Sequence, residues 1–390
     1  MPWKKSVAHA AQLAFIRELR WKGGYFAALC RSHGISRKTG YKWRSRYQQQ
    51  GMSGLRSRSS RCRRQWGSYA ASVRRVVARL RRRYPWWGAK KLRCLLQSRW
   101  PRRRWPSART MERWAPRRPR RPRARPGPVL LAPQCVRPKV ANDLWTVDFK
   151  GGFRTGDRKL IEPLTVRDAY SCFVLLVAHV SHHSFRALRR AFSALFRKLG
   201  LPKVIRVDNG PPFGGNNGPH GLSRLAVWWL RLGIRTEYIR PGHPQDNGAH
   251  EQMHRVLKNE TLKPPAATPK LQQQAFLRWQ KRYNHVRPHE TLSMQVPARF
   301  YHVSPRRFCP RLPSLTYPAT FSVRKVSAQG TISWHRRRRF IGKSFGGAQI
   351  GLRLHSDHQA VFLGSLLLGL LYPNDAAGIR PVSYDSTSSR

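Results

Sequence analysis

Three short segments place carboxylates where an acid could do chemistry: Trp145-Thr146-Val147-Asp148-Phe149-Lys150, Val207-Asp208-Asn209-Gly210, and Asp246-Asn247-Gly248-Ala249-His250-Glu251 running on to Met253-His254-Arg255. On a strand Asp148 points away from Val147 and Phe149, and a charge set between apolar residues costs free energy unless something pairs with it. Asp208 follows a short apolar run, although Asp-Asn-Gly is also a common turn. Glu251 shares a helical face with His254, Arg255 and Lys258, at offsets of three, four and seven. Carboxylates are the natural ligands of hard divalent cations. Two such ions about 3.5–4 Å apart activate an oxygen nucleophile and stabilise a leaving oxygen in phosphodiester hydrolysis or transesterification. On this reading Asp148 and Asp208 grip the ions and Glu251 completes the cage. The basic residues His254, Arg255 and Lys258 hold a phosphodiester strand nearby.

The neighbouring polar residues have plainer roles. Asp246 is expected to cap the helix carrying Glu251, Asp168 to support a strand end, and Asp143 to lie just before the first strand without binding metal. His243 and His250 flank the third acid as structural or nucleic-acid contacts. His285, Arg287 and His289 suit either a surface loop or such contacts.

The elements that must position the three acids are legible from periodicity. Leu144 to Phe149, Leu160 to Val166 and Cys172 to Val180 read as strands separated by turn residues. An amphipathic helix follows, with Phe185, Leu188, Phe192, Leu195, Phe196 and Leu199 on its apolar face, ending at Gly200. Val204 to Val207, a helix from Ser223 to Leu232, a strand near Thr236 to Ile239 and a helix from about Gly248 complete residues 143–305. Three strands and then alternating helix and strand predict an α/β core with a mixed sheet, where chemistry gathers at strand ends.

Before that core, residues 1–60 read as three helices. Leu13, Ile16 and Leu19 share a face, Tyr25 to His33 is short, and Ser36 caps a third helix after the Gly34-Ile35 turn. This is a helix-turn-helix arrangement, and Ser36, Arg37, Lys38, Tyr41, Lys42, Trp43 and Arg44 are its candidate DNA-binding residues. Residues 66–115 read as a second, all-α, helix-turn-helix-like unit: Val73, Val76, Val77 and Leu80 form one face, Trp87 to Leu92 opens a helix, and Ser107 caps another. Residues 116–142 read as a Pro/Arg-rich linker. Residues 312–375 form a small β domain, a barrel or sandwich, and 376–390 a tail.

The chain carries 77 Lys and Arg against 16 Asp and Glu, a formal charge of +61. Such an imbalance opposes compaction in the absence of a polyanion, and nucleic acid is the natural one. The acids are unevenly spread: residues 1–142 contain only Glu18 and Glu112, and most of the rest lie between Asp143 and Glu260. The six cysteines show no C-x-x-C pair or zinc-finger spacing, which predicts buried thiols in a reducing compartment. The N-terminus lacks the apolar core of a signal peptide. Val361 to Leu371 is too short and too glycine-broken to span a bilayer and reads as β-strands. A soluble protein of the cytoplasm, with no membrane partner, is expected.

The segments around Asp148, Asp208 and Glu251 resemble the integrase core of bacterial insertion-sequence transposases, relatives of retroviral integrases. The likeness extends to Gly221-Leu222-Ser223-Arg224-Leu225, to Tyr283-Asn284-His285-Val286-Arg287-Pro288-His289-Glu290, and to Pro297-Ala298-Arg299-Phe300-Tyr301. With the Gly34-Ile35-Ser36-Arg37-Lys38 segment it covers most of residues 1–301. The resemblance implies a ribonuclease-H-like fold and a catalytic triad at Asp148, Asp208 and Glu251 with two Mg²⁺ or Mn²⁺ ions. It also implies a homo-oligomer acting on double-stranded DNA, both the inverted-repeat ends and the target, in the bacterial cytoplasm at the nucleoid. No His-His-Cys-Cys pattern precedes the core, so a retroviral zinc domain is not expected. This copy is more basic than the family pattern, and the alternative is a catalytically decayed copy acting only as a DNA-binding protein.

Overall fold

The computed structural model describes residues 8–21, 25–56, 69–114, 136–180, 183–215, 219–240, 243–312, 314–374 and 378–382. The Pro/Arg run of 116–135, the end of the predicted first domain from residue 57, and the tail from 383 lie outside the described residues. The chain divides into two units, Met1–Tyr69 and Ala70–Arg390.

In the first unit α1 (Ala8–Trp21), α2 (Phe26–Ser32) and α3 (Arg37–Gln50) enclose Phe15, Ile16, Cys30, Ile35, Trp43 and Leu55. Gly34 turns the chain with φ of 63°, a left-handed conformation that glycine adopts without a Cβ clash. Ser36 then caps α3 as expected, its hydroxyl accepting from the Thr39 amide at 3.2 Å.

The second unit opens with α4 (Ala71–Arg83), α5 (Ala89–Arg99) and α6 (Ala108–Trp114). Ser107 caps α6 by accepting from the Thr110 amide. Val73, Val77, Leu92, Leu96 and Met111 are buried in this trio, close to the faces that periodicity predicts.

The central sheet has the order β5 (Val174–His179), β4 (Pro163–Asp168), β1 (Leu144–Phe149), β6 (Val204–Val207), β7 (Arg235–Tyr238). β4 pairs antiparallel with β1 and β5, whereas β1–β6 and β6–β7 are parallel. This is the mixed sheet expected from the sequence. A small hairpin, β2 (Phe153–Arg154) with β3 (Leu160–Ile161), precedes β4.

The two sheet faces differ sharply. One carries Trp145, Val147, Leu164, Val166, Ile205 and Val207 against α7 (Phe185–Leu199) and α8 (Arg224–Arg231), forming a large apolar core. α7 stops at Gly200, as predicted. The φ of 73° there is left-handed, and a Cβ at that position would lie only 2.5 Å from the Ser304 carbonyl oxygen, which leaves room for glycine alone. The alternate strand positions, Thr146, Asp148, Thr165, Arg167 and Arg206, point to the opposite side. There α9 (Gly248–Thr261) lays His250, Met253, His254 and Leu257 inward, with α10 (Pro269–His285) beside it.

α10 is absent from the sequence-based description, and it guards the edge of the sheet. Asn284 accepts from the Val174 amide and donates to the Val174 carbonyl, while Gln273 does the same for the His179 amide and Val177 carbonyl. Side-chain amides thus satisfy backbone groups of the edge strand β5 that would otherwise invite another strand.

The C-terminal region is all-β, as expected. A five-stranded antiparallel sheet runs β14 (Arg380–Pro381), β13 (Leu366–Leu371), β12 (His358–Leu363), β11 (Gln349–His355), β8 (Phe321–Lys325), joined by the hairpin β9 (Thr331–Trp334) with β10 (Arg337–Phe340). The expected separate domain is instead continuous with the core: Leu222, Ala226 and Val227 share one apolar cluster with Ile332, Phe345, Ile350, Val361 and Leu368. The predicted tail begins too early, because Arg380 pairs with Leu370 and extends the sheet. No helix of the described residues is long and apolar enough to cross a membrane.

Candidate active site

Parallel pairing of β1 with β6 matches Leu144 to Val204, Trp145 to Ile205 and Thr146 to Arg206. Two residues further along the same strands come Asp148 and Asp208, so the register sets both on one sheet face at neighbouring strand ends. Glu251 approaches from the first turn of α9, exposed to solvent. Burial first, and then the negative charges of Asp208 and Glu251, push the Asp148 carboxyl up to about 7. Burial also raises Asp208. Its Oδ1 is buried without a hydrogen-bond partner among the described residues, although buried carboxylate oxygens ordinarily find one.

Beneath the acids lies a hydrogen-bonded polar layer. Thr165, buried between the sheet and α9, donates to the Asp148 carbonyl at 2.9 Å. Its one proton is used there, so its oxygen accepts from Nε2 of both His250 and His254, each at 2.7 Å. His250 Nδ1 in turn meets the Thr146 hydroxyl at 2.7 Å. Burial, with the charges of His254 and Arg167, holds His250 well below the usual imidazole range. A neutral ring with one donor and one acceptor fits those bonds. His250 therefore acts as a structural residue, one of the two roles considered for it.

His254 departs from expectation. It does not face outward with Arg255 and Lys258 as a DNA contact. It is buried on the Met253–Leu257 stripe, with Nδ1 3.7 Å from Asp148 Oδ2. Burial, and then the Lys150 charge, lower it to about 4. Asp148, His250 and His254 bring ligand atoms within 4.8 Å of one another, yet both His250 nitrogens are already bonded. The atoms this group leaves for a cation are those of Asp148 and His254 Nδ1.

Arg255 and Lys258 are exposed on α9. Lys150 is a neighbour that sequence reasoning passed over. Burial, followed by the Lys258 charge, lowers its ammonium, and Asp148 opposes that shift. Its signal was its place two residues after Asp148, on the same strand parity.

Several other expectations are corrected or sustained. Asp246 does not cap α9: its buried carboxylate accepts from Nε and Nη2 of Arg240, both at 2.9 Å, and Asn247 stands at the helix start without a side-chain cap. Asp168 does support a strand end, accepting from the Asn142 and Ser171 amides and the Ser171 hydroxyl. Asp143 accepts from the Lys139 and Val140 amides and pairs with Lys203. In the first unit Ser36, Arg37, Lys38, Tyr41, Lys42 and Arg44 are exposed. Trp43 is not available as a contact residue: it is 7% exposed and packs in the core. Cys30 and Cys172 are buried free thiols, whereas Cys309 is exposed.

Residues 138–244 and 232–297 match models of an integrase core domain, and residues 12–64 match a helix-turn-helix domain. An insertion element IS407 uncharacterized 31.7 kDa protein from Burkholderia multivorans is 28% identical over 184 residues, 46% of this chain and 63% of that protein. An insertion element IS476 uncharacterized 39.2 kDa protein from Xanthomonas euvesicatoria is 31% identical over 168 residues, 41% of this chain and 44% of that protein. The chain thus spans less than two thirds of the length of either relative. The HTLV-2 integrase catalytic core domain, solved in complex with magnesium, aligns with 43% of this chain and 100% of its own at 18% identity and a TM-score of 0.34. Residues 138–297 of this chain are thus similar to an integrase core domain, and residues 12–64 to a helix-turn-helix domain. Among its sequence relatives are these two proteins of bacterial insertion elements.

Proposed function

We propose that the chain is a transposase that cuts and joins DNA strands at the ends of a mobile element. What supports this reading most is the placement of Asp148 and Asp208 on one face at neighbouring strand ends, with Glu251 on α9 near enough that its charge and that of Asp208 both raise Asp148. Three carboxyl groups, one raised by the charges of the other two and one with an orphaned buried oxygen, make a donor set that suits hard divalent cations, Mg²⁺ or Mn²⁺ and two in number. Such ions, when bound, activate the attacking oxygen and stabilise the leaving one.

The remaining work falls to the chain. Asp148 and Asp208 are set by adjacent strands, and Glu251 by a helix whose inner face is hydrogen-bonded to Thr165. Lys150, Arg255 and Lys258 offer positive charge beside the acids for a DNA phosphate. The exposed basic face of α3 suits entry into a major groove. Action as a homo-oligomer on end and target DNA belongs to the same proposal, as does a cytoplasmic, nucleoid-associated setting. A copy decayed to mere DNA binding is not favoured, because all three acids remain above an intact polar layer.

The test uses duplex DNA carrying the element's terminal inverted repeats, with Mn²⁺ or Mg²⁺. Wild-type protein nicks the end and joins it to a second duplex, while Asp208→Asn binds the same DNA and does neither. Equal activity in that variant overturns the assignment. Nicking without joining identifies a nuclease instead.

A further inference from the structure

α9 carries Glu251 near its start and Glu260 near its finish, and Glu260 has an unusual set of partners. Its side chain is only 8% exposed. Oε1 accepts from Nη1 of Arg287 at 2.9 Å and from the indole Nε1 of Trp87 at 3.0 Å, and Oε2 accepts from Nη2 of Arg282 at 3.3 Å. Trp87 is itself 1% exposed, stacked on Tyr84 at 4.2 Å, with the Arg287 guanidinium 5.5 Å from its ring. Two further contacts run alongside: Lys91 pairs with Glu290 at 3.4 Å, and the Cys94 thiol donates to the Met294 carbonyl at 3.3 Å. The inward residues of the α4–α5 region therefore grip α9 and the chain after α10, and are not displayed for reading DNA.

We infer that Glu260 is a positioning residue: with Trp87, Arg282 and Arg287 it fixes the far end of α9, and through that helix the carboxylate of Glu251. A helix transmits such a constraint because its backbone is a stiff rod rising about 1.5 Å per residue. The near end is already held by His250 and His254 against Thr165. Pinning both ends leaves the helix one resting angle over the acids. The same contacts give residues 70–114 a role as a brace for the catalytic helix. In a chain so poor in acids, one carboxylate placed between two guanidiniums and an indole is a specific arrangement, since those cations repel each other without it.

This inference rests on the transposase reading for Glu251, and its test separates the two. The variants are Glu260→Gln, which keeps an acceptor but loses the charge, and Trp87→Phe, which removes one N–H donor while keeping an aromatic ring. In the full chain, Glu260→Gln is expected to lower kcat for strand transfer about tenfold or more. KM for DNA should stay within about twofold, because the lost contacts do not touch DNA, and the Mn²⁺ concentration for half activity should rise, because a displaced Glu251 holds the ion less tightly. Trp87→Phe should do the same more weakly. Amide hydrogen exchange over residues 251–258, measured without metal or DNA, should speed up in both variants. Wild-type protein inactive on element ends defeats the transposase reading alone, and exchange still decides the brace. Unchanged exchange in both variants, or a fall in activity matched by an equal loss of DNA binding with an unmoved Mn²⁺ midpoint, overturns the positioning role.

Discussion

The hydroxyl of Thr165 stands 2.7 Å from Nε2 of His254, and the same oxygen receives His250 while its proton goes to the Asp148 carbonyl. One small side chain therefore satisfies two buried imidazole donors directly beneath the acids. Thr165→Val keeps the shape and deletes the oxygen, leaving both N–H groups without a partner. A loss of about 2–4 kcal/mol is expected, since each orphaned buried donor costs roughly 1–3 kcal/mol. Thr165→Ser, which restores the hydroxyl, should recover most of it. Urea unfolding of the three proteins decides the matter, and a Val variant as stable as wild type would mean the two imidazoles are satisfied elsewhere.

Acid sensitivity follows from the same layer. Burial, aided by neighbouring cations, holds His250 well below its usual range, His254 at about 4 and His289 at about 3. The unfolded chain takes up these protons near pH 6.5 and the folded chain does not, so their contribution is lost as pH falls below 6.5. Asp148 works in the opposite sense: folded, it keeps its proton up to about 7, and unfolded it releases it near 3.8. Burial likewise lowers His179 and His220 and raises Asp168 and Asp208, so five histidines and three aspartates act in opposite senses below pH 6.5. With the lowered histidines outnumbering the raised aspartates, stability should fall as pH drops below 6.5. Denaturant titrations at about pH 5, 6 and 7 would show it, and a flat profile would mean the imidazoles are charged in the fold.

How much of this was visible in the residues themselves varied with the range of the interaction. Strand alternation around Asp148 and the amphipathic spacing of α7 are local patterns, and both elements form where they predict. Ser36 and Ser107 cap as their positions suggest, because capping spans three residues. His254 departs from the expected outward position for a physical reason: helical spacing states which residues share a face with Glu251, but not which face meets the sheet. The Met253–Leu257 stripe held the missing cue, with His254 on it. Asp246 failed similarly, since its partner Arg240 outcompetes the helix amides for its carboxylate. Trp43 looked like a contact among cations, yet its apolar area is worth more inside a small three-helix core. The amide bonds of α10 to the β5 edge join residues about a hundred positions apart, and no local pattern encodes them.

Cation binding should appear without any DNA. At about pH 8 the Asp148 carboxyl is largely ionised beside the charges of Asp208 and Glu251, so a divalent ion that binds only the folded state raises its stability. Millimolar Mn²⁺ is expected to lift the melting temperature of the wild type by a few degrees, and Asp208→Asn should lose most of that gain. Without metal, the same variant should melt slightly higher than wild type at about pH 8, because one member of the repelling set is neutral. At about pH 5 the Mn²⁺ effect should shrink, as Asp148 holds a proton that the ion must displace. Identical Mn²⁺ responses in wild type and Asp208→Asn would mean that the ion binds elsewhere.

The first unit separates folding from DNA contact with two substitutions. Trp43 lies in the core with Phe15, Ile16 and Leu55, and the cations of Lys42 and Arg46 lie 4.9 and 5.1 Å from its ring centre. Trp43→Ala should cost about 3–5 kcal/mol, as large aromatic deletions do, and unfold so small a core. Arg44 sits one residue later and is exposed. Arg44→Ala should leave the helical signal and melting of residues 1–69 unchanged. If Arg44 meets a DNA phosphate, its loss reduces the slope of log K against log salt by about one. If it reads a base edge, the slope holds and discrimination between end sequences falls by about 1–3 kcal/mol. Fluorescence anisotropy with end and scrambled duplexes, at several salt concentrations, distinguishes these outcomes. An Arg44→Ala protein with unaltered affinity, slope and discrimination would remove α3 from the DNA interface.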